Sequence, residues 1–268
     1  MGYKSRQLFS AFSIDYVHTM FLADYDKNFN FAGEVHNMWE IGCVRAGKMG
    51  ITSGTEIYEC GANELFIHPT GVFHKAWAKE ENVKIFTVSF SGIGIERFVP
   101  TGKFILNKRE RMLIELLESE TVKDADNIGI EHNHESEQIV KNLLETLCLS
   151  LNRRKSESAA PDTRGRGTQF AQVANYLAKN VDMAITVEDI CCACAIGRTA
   201  LKKLFNTYAG IGVIKYYNIL RTRRAIGMIE EGHSMAYISE TMHFSSQNYF
   251  SDFFKRETGI TPTKYLKV

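Results

Sequence analysis

No stretch of this sequence stays apolar for long. None of its hydrophobic runs approaches the roughly 18 residues that a membrane span needs, so a membrane partner is not expected. Cysteine is sparse as well. Six residues, at 43, 60, 148, 191, 192 and 194, are too few and too scattered to staple a secreted chain of 268 residues. The opening MGYKSRQLFSAFSIDYV has basic residues and a short apolar patch, but Asp15 interrupts it and no small-residue cleavage site follows. A signal peptide is therefore not expected, and a reducing cytoplasm is the expected location. Net charge is nearly absent too, at +1, yet the halves differ. Residues 168–268 carry 12 Lys and Arg against 8 Asp and Glu, whereas residues 1–167 carry 20 against 23. The surplus of +4 suits a polyanion partner for the C-terminal part alone, although a solvated basic face gives the same count.

What is present is ordinary for a globular chain: 44% hydrophobic residues, 24% charged, and length enough for about two domains. The stretch RRKSESAAPDTRGRGT has no large apolar residue and cannot bury surface, so it is read as an interdomain linker over 154–168. Before it, residues 1–102 hold 11 of the 20 glycines. The runs WEIGCVRAG, KMGITS, TEIYEC, NELFIHP and KIFTVSF are short, β-rich and bounded by Gly, Pro, Asn or Ser. That spacing predicts an antiparallel barrel or sandwich over 1–105. Helical periodicity follows over 106–153, in RERMLIELLESE and ESEQIVKNLLETLCLSLN. In the second, Ile139, Val140, Leu143, Leu144, Leu147 and Leu151 fall on one stripe. Such a stripe packs on its own domain or pairs two protomers, and Ile139, Val140, Leu143, Leu144 and Leu147 are the candidate dimer contacts.

The C-terminal region, 169–268, is helical throughout and contains a repeat. VEDICCACAI (187–196) lies over MAYISETMHF (235–244) at an offset of 48, matching Val187 to Met235, Ile190 to Ile238 and Ile196 to Phe244. Past the next turn the offset is 49, matching Leu201 to Phe250, Leu204 to Phe253, Phe205 to Phe254, Gly210 to Gly259 and Tyr216 to Tyr265. Each copy is a short helix, a tight turn and a longer helix. Thr186 with Asp189 makes a capping-box start and Ser234 caps the second copy. That is a helix-turn-helix, twice. The cluster CCAC is placed by the same alignment. Cys191 falls on Ser239 and Cys194 on Met242, both packing positions, while Cys192 falls on Glu240 and faces water. The second copy offers no matching ligands for a metal.

At these residues the region from about 169 to 266 resembles the DNA-binding domain of AraC-type transcription regulators. FSSQNYFSDFFKRETGITPTKY carries that family's C-terminal signature in Phe244, Ser245, Tyr249, Phe250, Phe254, Gly259, Pro262 and Tyr265. The resemblance implies that the longer helix of each copy enters the major groove of double-stranded DNA, with the connecting helix, about 212–231, holding the two one DNA turn apart. Helical spacing leaves Arg198, Thr199, Lys202 and Lys203 outward in the first reading helix, with Leu201, Leu204 and Phe205 inward. In the second, Ser246, Gln247, Asn248, Ser251 and Asp252 are outward, with Tyr249, Phe250, Phe253 and Phe254 inward. Arg and Lys suit guanine edges, and Gln and Asn suit adenine. Arg198 and Lys203 could equally meet phosphate. Asp252 repels phosphate unless it pairs with Lys255 or Arg256, and Arg256 is counted among the contacts. Arg221, Arg223 and Arg224 on the connecting helix are expected either in salt bridges or on phosphate. Two departures stand out: Ala195 and His243 occupy turn positions where the family usually has glycine and a left-handed backbone. Leu266 stands where a basic residue is common.

The N-terminal half resembles, more loosely, the cupin-like sensor domain of the same regulators. EVHNMWEIGCVRAGK provides His36, Glu40 and Gly47 of one cupin motif, and GANELFIHPTGVFHKAW provides Pro69, Gly71 and His74 of the other. In metal-binding cupins a His-x-His pair, a Glu and a later His hold one ion; here Glu34 takes the first His position. Glu34, His36, Glu40 and His74 are the candidate effector-binding residues. They could make a 2-His carboxylate set or simply line a pocket, and neither a metal nor another cofactor is assigned. Trp39, Phe66, Phe73 and Trp77 suit a sugar or similar small ligand, or the core. The expected protein is thus an α+β multidomain regulator: a cupin-like antiparallel barrel with trailing helices, then an all-α double helix-turn-helix domain. Its expected partners are DNA, a small effector, a second copy in a homodimer, and RNA polymerase if it activates. A cupin enzyme with an accessory DNA-binding domain and a thiol-responsive regulator using Cys192 or Cys194 remain as alternatives.

Overall fold

A computed structural model describes residues 5–122, 129–130, 133–161 and 166–266. Its N-terminal strands are β1 (Ser13–Tyr25), β2 (Trp39–Ala46), β3 (Lys48–Ser53), β4 (Glu56–Gly61), β5 (Glu64–His68), β6 (His74–Ala78), β7 (Val83–Ile93) and β8 (Gly102–Ile105). All pair antiparallel. They form a five-stranded sheet in the order β1-β7-β2-β5-β8 and a three-stranded sheet in the order β4-β3-β6. No ladder joins the two sheets among the described residues, so the strands make a sandwich-like pair and not a closed barrel. The chain crosses from one sheet to the other at Gly47, whose φ of +71° takes the left-handed turn and whose Cα lies against Val83.

Both faces of the larger sheet are covered, which is why its strands read as near-continuous apolar runs. Val44, Phe66 and Ile85 pack inward against Met49 and Ile51 of the smaller sheet. On the other face Ile41, Leu65, Phe86 and Val88 meet two helices, α1 (Lys108–Ser119) and α2 (His134–Arg153). Val140, Leu144, Leu147 and Leu151 of α2 are all buried in that core. The stripe read as a dimer contact is therefore corrected. Val140, Leu144 and Leu147 are consumed by the protein's own sheet, Leu143 is half-buried against the same core, and only Ile139, 43% exposed, faces outward. Periodicity defines a face; it does not say what covers it.

The helix pair is tied together by Glu110, which is fully buried. Its carboxylate accepts from the backbone N–H of Asn107, from Ser150 Oγ and from the Arg154 guanidinium at 2.6 Å. After α2 the chain stays on the sensor: residues 155–157 make a 3-10 turn, and the Ala159 N–H donates to the Lys103 carbonyl. Residues 162–165 of the stretch read as a linker lie outside the described residues, and helix α3 (Arg166–Lys179) begins within that stretch.

The repeat appears as α4 (Val187–Ala193) with α5 (Arg198–Tyr208), and α7 (Met235–Thr241) with α8 (Gln247–Thr258). Helix α6 (Val213–Glu230) connects them and α9 (Pro262–Tyr265) closes the chain. The Thr186–Asp189 capping box forms in both directions, and Ser234 accepts from Tyr237 N–H. The two turns are built alike. Ala195 N–H donates to Cys192 O and Ile196 N–H to Cys191 O; His243 N–H donates to Glu240 O and Phe244 N–H to Ser239 O. These are Schellman closures around a left-handed residue, with φ of +49° at Ala195 and +52° at His243. The buried Ile196 and Phe244 supply the apolar contact that goes with the motif. Alanine at positive φ costs roughly 1–2 kcal/mol, part of which glycine returns as unfolded-chain entropy. Ala195→Gly should therefore stabilise the domain by about 0.5–1 kcal/mol, read as a higher denaturation midpoint in urea.

Helix α6 is buried on two sides. Its first half, through Tyr216 and Tyr217, joins the core of α3, α4 and α5, and its second half, through Ala225, Met228 and Ile229, joins the core of α7 and α8. The first of these cores also takes in Ile57 and Phe73 from the β region. Three hydrogen bonds cross the same seam. Tyr216 OH donates to Gly54 O (2.8 Å), Thr52 Oγ1 to Tyr208 O (2.5 Å) and Lys75 Nζ to Thr207 O (2.8 Å). Burial pushes the Lys75 ammonium down to about 8, and the Thr207 carbonyl partners the charge that remains.

Candidate functional sites: two reading helices and a histidine–glutamate cluster

The outward face of α5 is polar because its apolar residues, Leu201, Leu204 and Phe205, recur at helical spacing and turn inward. Arg198, Thr199, Lys202 and Lys203 are all exposed. Arg198 is ion-paired with Glu188 at the start of α4. Thr199, Lys202 and Lys203 border a cavity of about 650 Å³ whose other wall is Lys27, Asn30 and Trp77, so the sensor stands beside this face of the helix.

On α8 the inward residues are Phe250, Phe253 and Phe254. Gln247 and Asn248 are exposed in the first turn, beside Ser246, whose hydroxyl accepts from Tyr249 N–H as the N-cap. Ser251 is half-buried and donates to the Gln247 carbonyl. Tyr249 corrects the sequence reading. It is 51% exposed and only leans on the Phe244 ring, so it joins Gln247 and Asn248 on the outer face. Arg256 lies over the Phe253 ring and pairs with Glu257 at 3.4 Å, and Asp252 is exposed. Of the three connecting-helix arginines, Arg221 is buried and donates to the Met242 carbonyl, and Arg224 pairs with Asp182. Arg223 lies against Gly71 of the sensor.

The four candidate effector residues come together although they span 41 positions of sequence. One ligand atom from each of Glu34, His36, Glu40 and His74 lies within 4.8 Å of the others. Glu40 is held in β2 between Ser89 and His68, and His74 opens β6. Glu34 is bridged to His74 by two backbone hydrogen bonds of 2.9 and 3.0 Å, and His36 O accepts from Gly71 N–H. His36 Nε2 lies 3.6 Å from Glu40 and 3.9 Å from Glu34; His74 Nε2 lies 3.6 Å and 3.7 Å from the same carboxylates. Contact with His74 holds the Glu34 carboxyl below its usual range against the opposing effect of burial. Burial disfavours a charged His36, but Glu40 and Glu34 outweigh it and raise its pKa. His68 stacks on His74 at 4.4 Å, and burial, reinforced by His74 and His36, lowers its pKa well below the usual imidazole range.

The four aromatic residues suited to a ligand wall or to the core do not line this cluster together. Trp39 is in the core under α1 and α2, Phe73 meets the Tyr216 ring, and Trp77 meets Tyr208. Phe66 approaches, but through His68, on which its ring rests at 4.6 Å. Cys191 and Cys194 pack on the core of the first unit and Cys192 is exposed, the placement that the repeat alignment predicts.

Residues 18–164 match the model of the AraC-like ligand binding domain, and residues 190–267 match a helix-turn-helix domain. The chain belongs to the AraC family. Among relatives, the HTH-type transcriptional activator RhaR of Cronobacter sakazakii is 28% identical over 127 residues, 46% of this chain and 44% of that protein. The aligned part thus spans less than half the length of that activator. The uncharacterized HTH-type transcriptional regulator YisR of Bacillus subtilis is 23% identical over 98% of this chain and 88% of its own length. Among solved structures, ToxT from Vibrio cholerae covers 95% of this chain and 98% of its own, at 15% identity and a TM-score of 0.37. No helix among the described residues is long and apolar enough to cross a membrane.

Proposed function

We propose that the protein is a sequence-specific DNA-binding transcription regulator, without enzymatic activity, whose affinity for DNA is set by a small effector at Glu34, His36, Glu40 and His74. One observation carries the DNA part: two units with the same capped start and the same Schellman turn each present an exposed polar face, on α5 and on α8. The 18 residues of α6 span about 27 Å, which suits two readers in successive major-groove segments near one helical turn apart. Arg198, Thr199, Lys202 and Lys203 read or anchor one segment; Gln247, Asn248 and Tyr249 read the other, with Ser246 and Ser251 at its margin and Arg256 on phosphate.

The effector part rests on position. The segment that carries Glu34 and His36 also carries Ala32 and Gly33. Gly33 lies against the Phe73 ring, and the Ala32 carbonyl lies against Gly210 at the end of α5, where a Cβ would stand only 2.8 Å away. A ligand that moves this segment therefore changes the contact on the first reading unit, and it shifts the equilibrium by its difference in affinity for the two arrangements. Activation, with RNA polymerase as partner, fits the named function of the RhaR relatives. A homodimer would use apolar side chains left exposed on α1 and α2, namely Met112, Leu116 and Ile139.

Selection from a randomised duplex pool tests the reading. The expected result is a two-part motif with its halves about one turn apart. Gln247→Ala should relax one position of that motif by about 1–3 kcal/mol, or roughly 5- to 150-fold. Lys202→Ala should weaken all sequences alike and reduce the salt slope by about 0.9. Sequence-blind binding by the full-length protein would overturn the reading.

A further inference from the structure

We infer that Glu34, His36, Glu40 and His74 bind one divalent first-row transition-metal ion, and that this ion is the regulator's effector. The role given to the ion rests on the regulator reading above; its binding does not.

The first argument is hydrogen-bond accounting. His74 Nδ1 lies 3.1 Å from Val72 O and His36 Nδ1 3.1 Å from Met38 O. A carbonyl oxygen only accepts, so the neutral His74 ring carries its proton on Nδ1 and leaves Nε2 with a lone pair, whereas His36 Nδ1 also lies 3.4 Å from the Met38 N–H and meets a backbone donor as well as an acceptor. Both Nε2 atoms are fully buried without a hydrogen-bond partner, and His74 itself is only 3% exposed. What faces them is two carboxylates, which also only accept. Four polar groups thus converge on one point, and at 3.6–3.9 Å neither Nε2 is within hydrogen-bond distance of a carboxylate. A buried acceptor left unmatched costs about 1–3 kcal/mol, and a cation at the common centre satisfies all four at once. Backbone carbonyls beside the Nδ1 of each ring are the usual outer support of metal-bound histidine.

The second argument is size. The four histidine–carboxylate separations of 3.6–3.9 Å exceed a hydrogen bond. They lie close to the edge of about 3.4 Å that a tetrahedron with bonds near 2.1 Å requires. Those four separations need to shorten by a few tenths of an ångström, while the widest spacing in the set, up to 4.8 Å, needs a shift of about 1 Å. Three of the ligands sit in regular pairing, Glu40 on β2 and the bridged Glu34 and His74, so the site is largely preformed. Glu34, its side chain 47% exposed, leaves a path for entry.

The third argument concerns the class of ion. Two imidazoles with two carboxylates suit Mn(II), Fe(II), Co(II) or Zn(II), whereas Mg²⁺ and Ca²⁺ take oxygen alone and soft Cu(I) takes sulfur. The sensor's thiols do not compete: Cys43 and Cys60 are buried outside the cluster, and burial pushes both up to about 12.

The location supplies the consequence. His36 also lines a cavity of about 880 Å³ between the sensor and the DNA-binding domain, together with Gly71, Arg223 and Ile226. An ion that draws His36 and Glu34 onto Glu40 and His74 therefore acts on the segment that shares this cavity with α6 and touches Gly210 after α5.

The test uses full-length protein stripped with a chelator and then titrated with Co²⁺, followed by visible absorption and by metal analysis after gel filtration. One Co²⁺ per chain with intense tetrahedral-type bands, displaced by Zn²⁺, is expected. His74→Ala should weaken binding roughly 100-fold or more, and Glu34→Gln, at a half-exposed position, about 10-fold with the circular dichroism unchanged. His18→Ala, outside the cluster, should bind as the parent does. Absence of Co²⁺ binding, or equal binding by a folded His36→Ala/His74→Ala protein, would sink the assignment. DNA selection by the same preparations separates the two readings. Sequence-specific DNA binding without Co²⁺ uptake removes the ion alone, and Co²⁺ uptake without sequence-specific DNA binding removes the regulator reading alone.

Discussion

Arg221→Ala should destabilise the DNA-binding domain by about 3 kcal/mol and abolish DNA binding through the second unit. The guanidinium is only 8% exposed and donates to the Met242 carbonyl, the residue just before the left-handed His243. It also lies 4.1 Å from the centre of the Phe244 ring and 5.6 Å from that of Phe253. A hydrogen bond from a charged group contributes about 1.5–3 kcal/mol, and a desolvated cation–π contact contributes about 2. Against these, the buried Nε has no partner, which lowers the net. For a chain of this size a loss of 3 kcal/mol corresponds to a fall in melting temperature of roughly 6–12 °C. Calorimetry with a DNA-binding assay would check it. Arg221→Lys should recover little, because an ammonium cannot both reach the carbonyl and cover the ring. If Arg221 were a phosphate contact, DNA affinity would fall with the melting temperature unchanged, and that outcome would refute the structural role.

Arg154→Ala should cost the sensor about 3 kcal/mol, by a different mechanism. Its partner Glu110 is fully buried at the start of α1, and Arg154 is the cation that faces it. Removing one partner of a buried pair typically costs 3–5 kcal/mol, since the remaining charge stays desolvated. Asn107 N–H and Ser150 Oγ still donate to the Glu110 carboxylate, and it sits at a helix N-terminus, which places the loss at the low end. The pair also joins α1 to the end of α2, so chymotrypsin should cut the Leu-rich segment of α2 faster in the variant. The double change Glu110→Gln with Arg154→Ala should be milder than Arg154→Ala alone, because it leaves no buried charge. Equal loss in both proteins would assign the effect of Arg154 to packing.

Much of this was legible in the residues themselves. The repeat of helix, turn and helix could be read because both copies carry the same local signals: a hydroxyl cap, then apolar residues three and four apart, then a turn. Those signals act within about one helical turn of chain, where sequence and structure report the same interaction. β3 agrees with the run KMGITS to the residue, since Gly and Ser punctuate it on both sides. β1, at 13 residues, carries no such punctuation and is not legible as a strand, and β6 is hidden in the segment that resembles a cupin motif. Helical spacing places Tyr249 inward for a related reason. The unit turns on three phenylalanines, Phe250, Phe253 and Phe254, and a fourth aromatic beside them looks the same in sequence although the helix rotates it outward.

The residues alone determined the all-α, twice-repeated C-terminal half, the polar faces of α5 and α8, and which residue types would gather near one another in the sensor. Tertiary structure alone decided what those faces meet. It showed that the stripe of α2 is spent on the chain's own sheet, that Arg221 serves the fold, and that the two histidine Nε2 atoms are buried beside two carboxylates without a hydrogen-bond partner. The physical reason is range. Caps, turns and periodicity are set by neighbours a few positions apart, while burial and the pairing of polar atoms depend on segments such as 34–40 and 74, which only folding brings together.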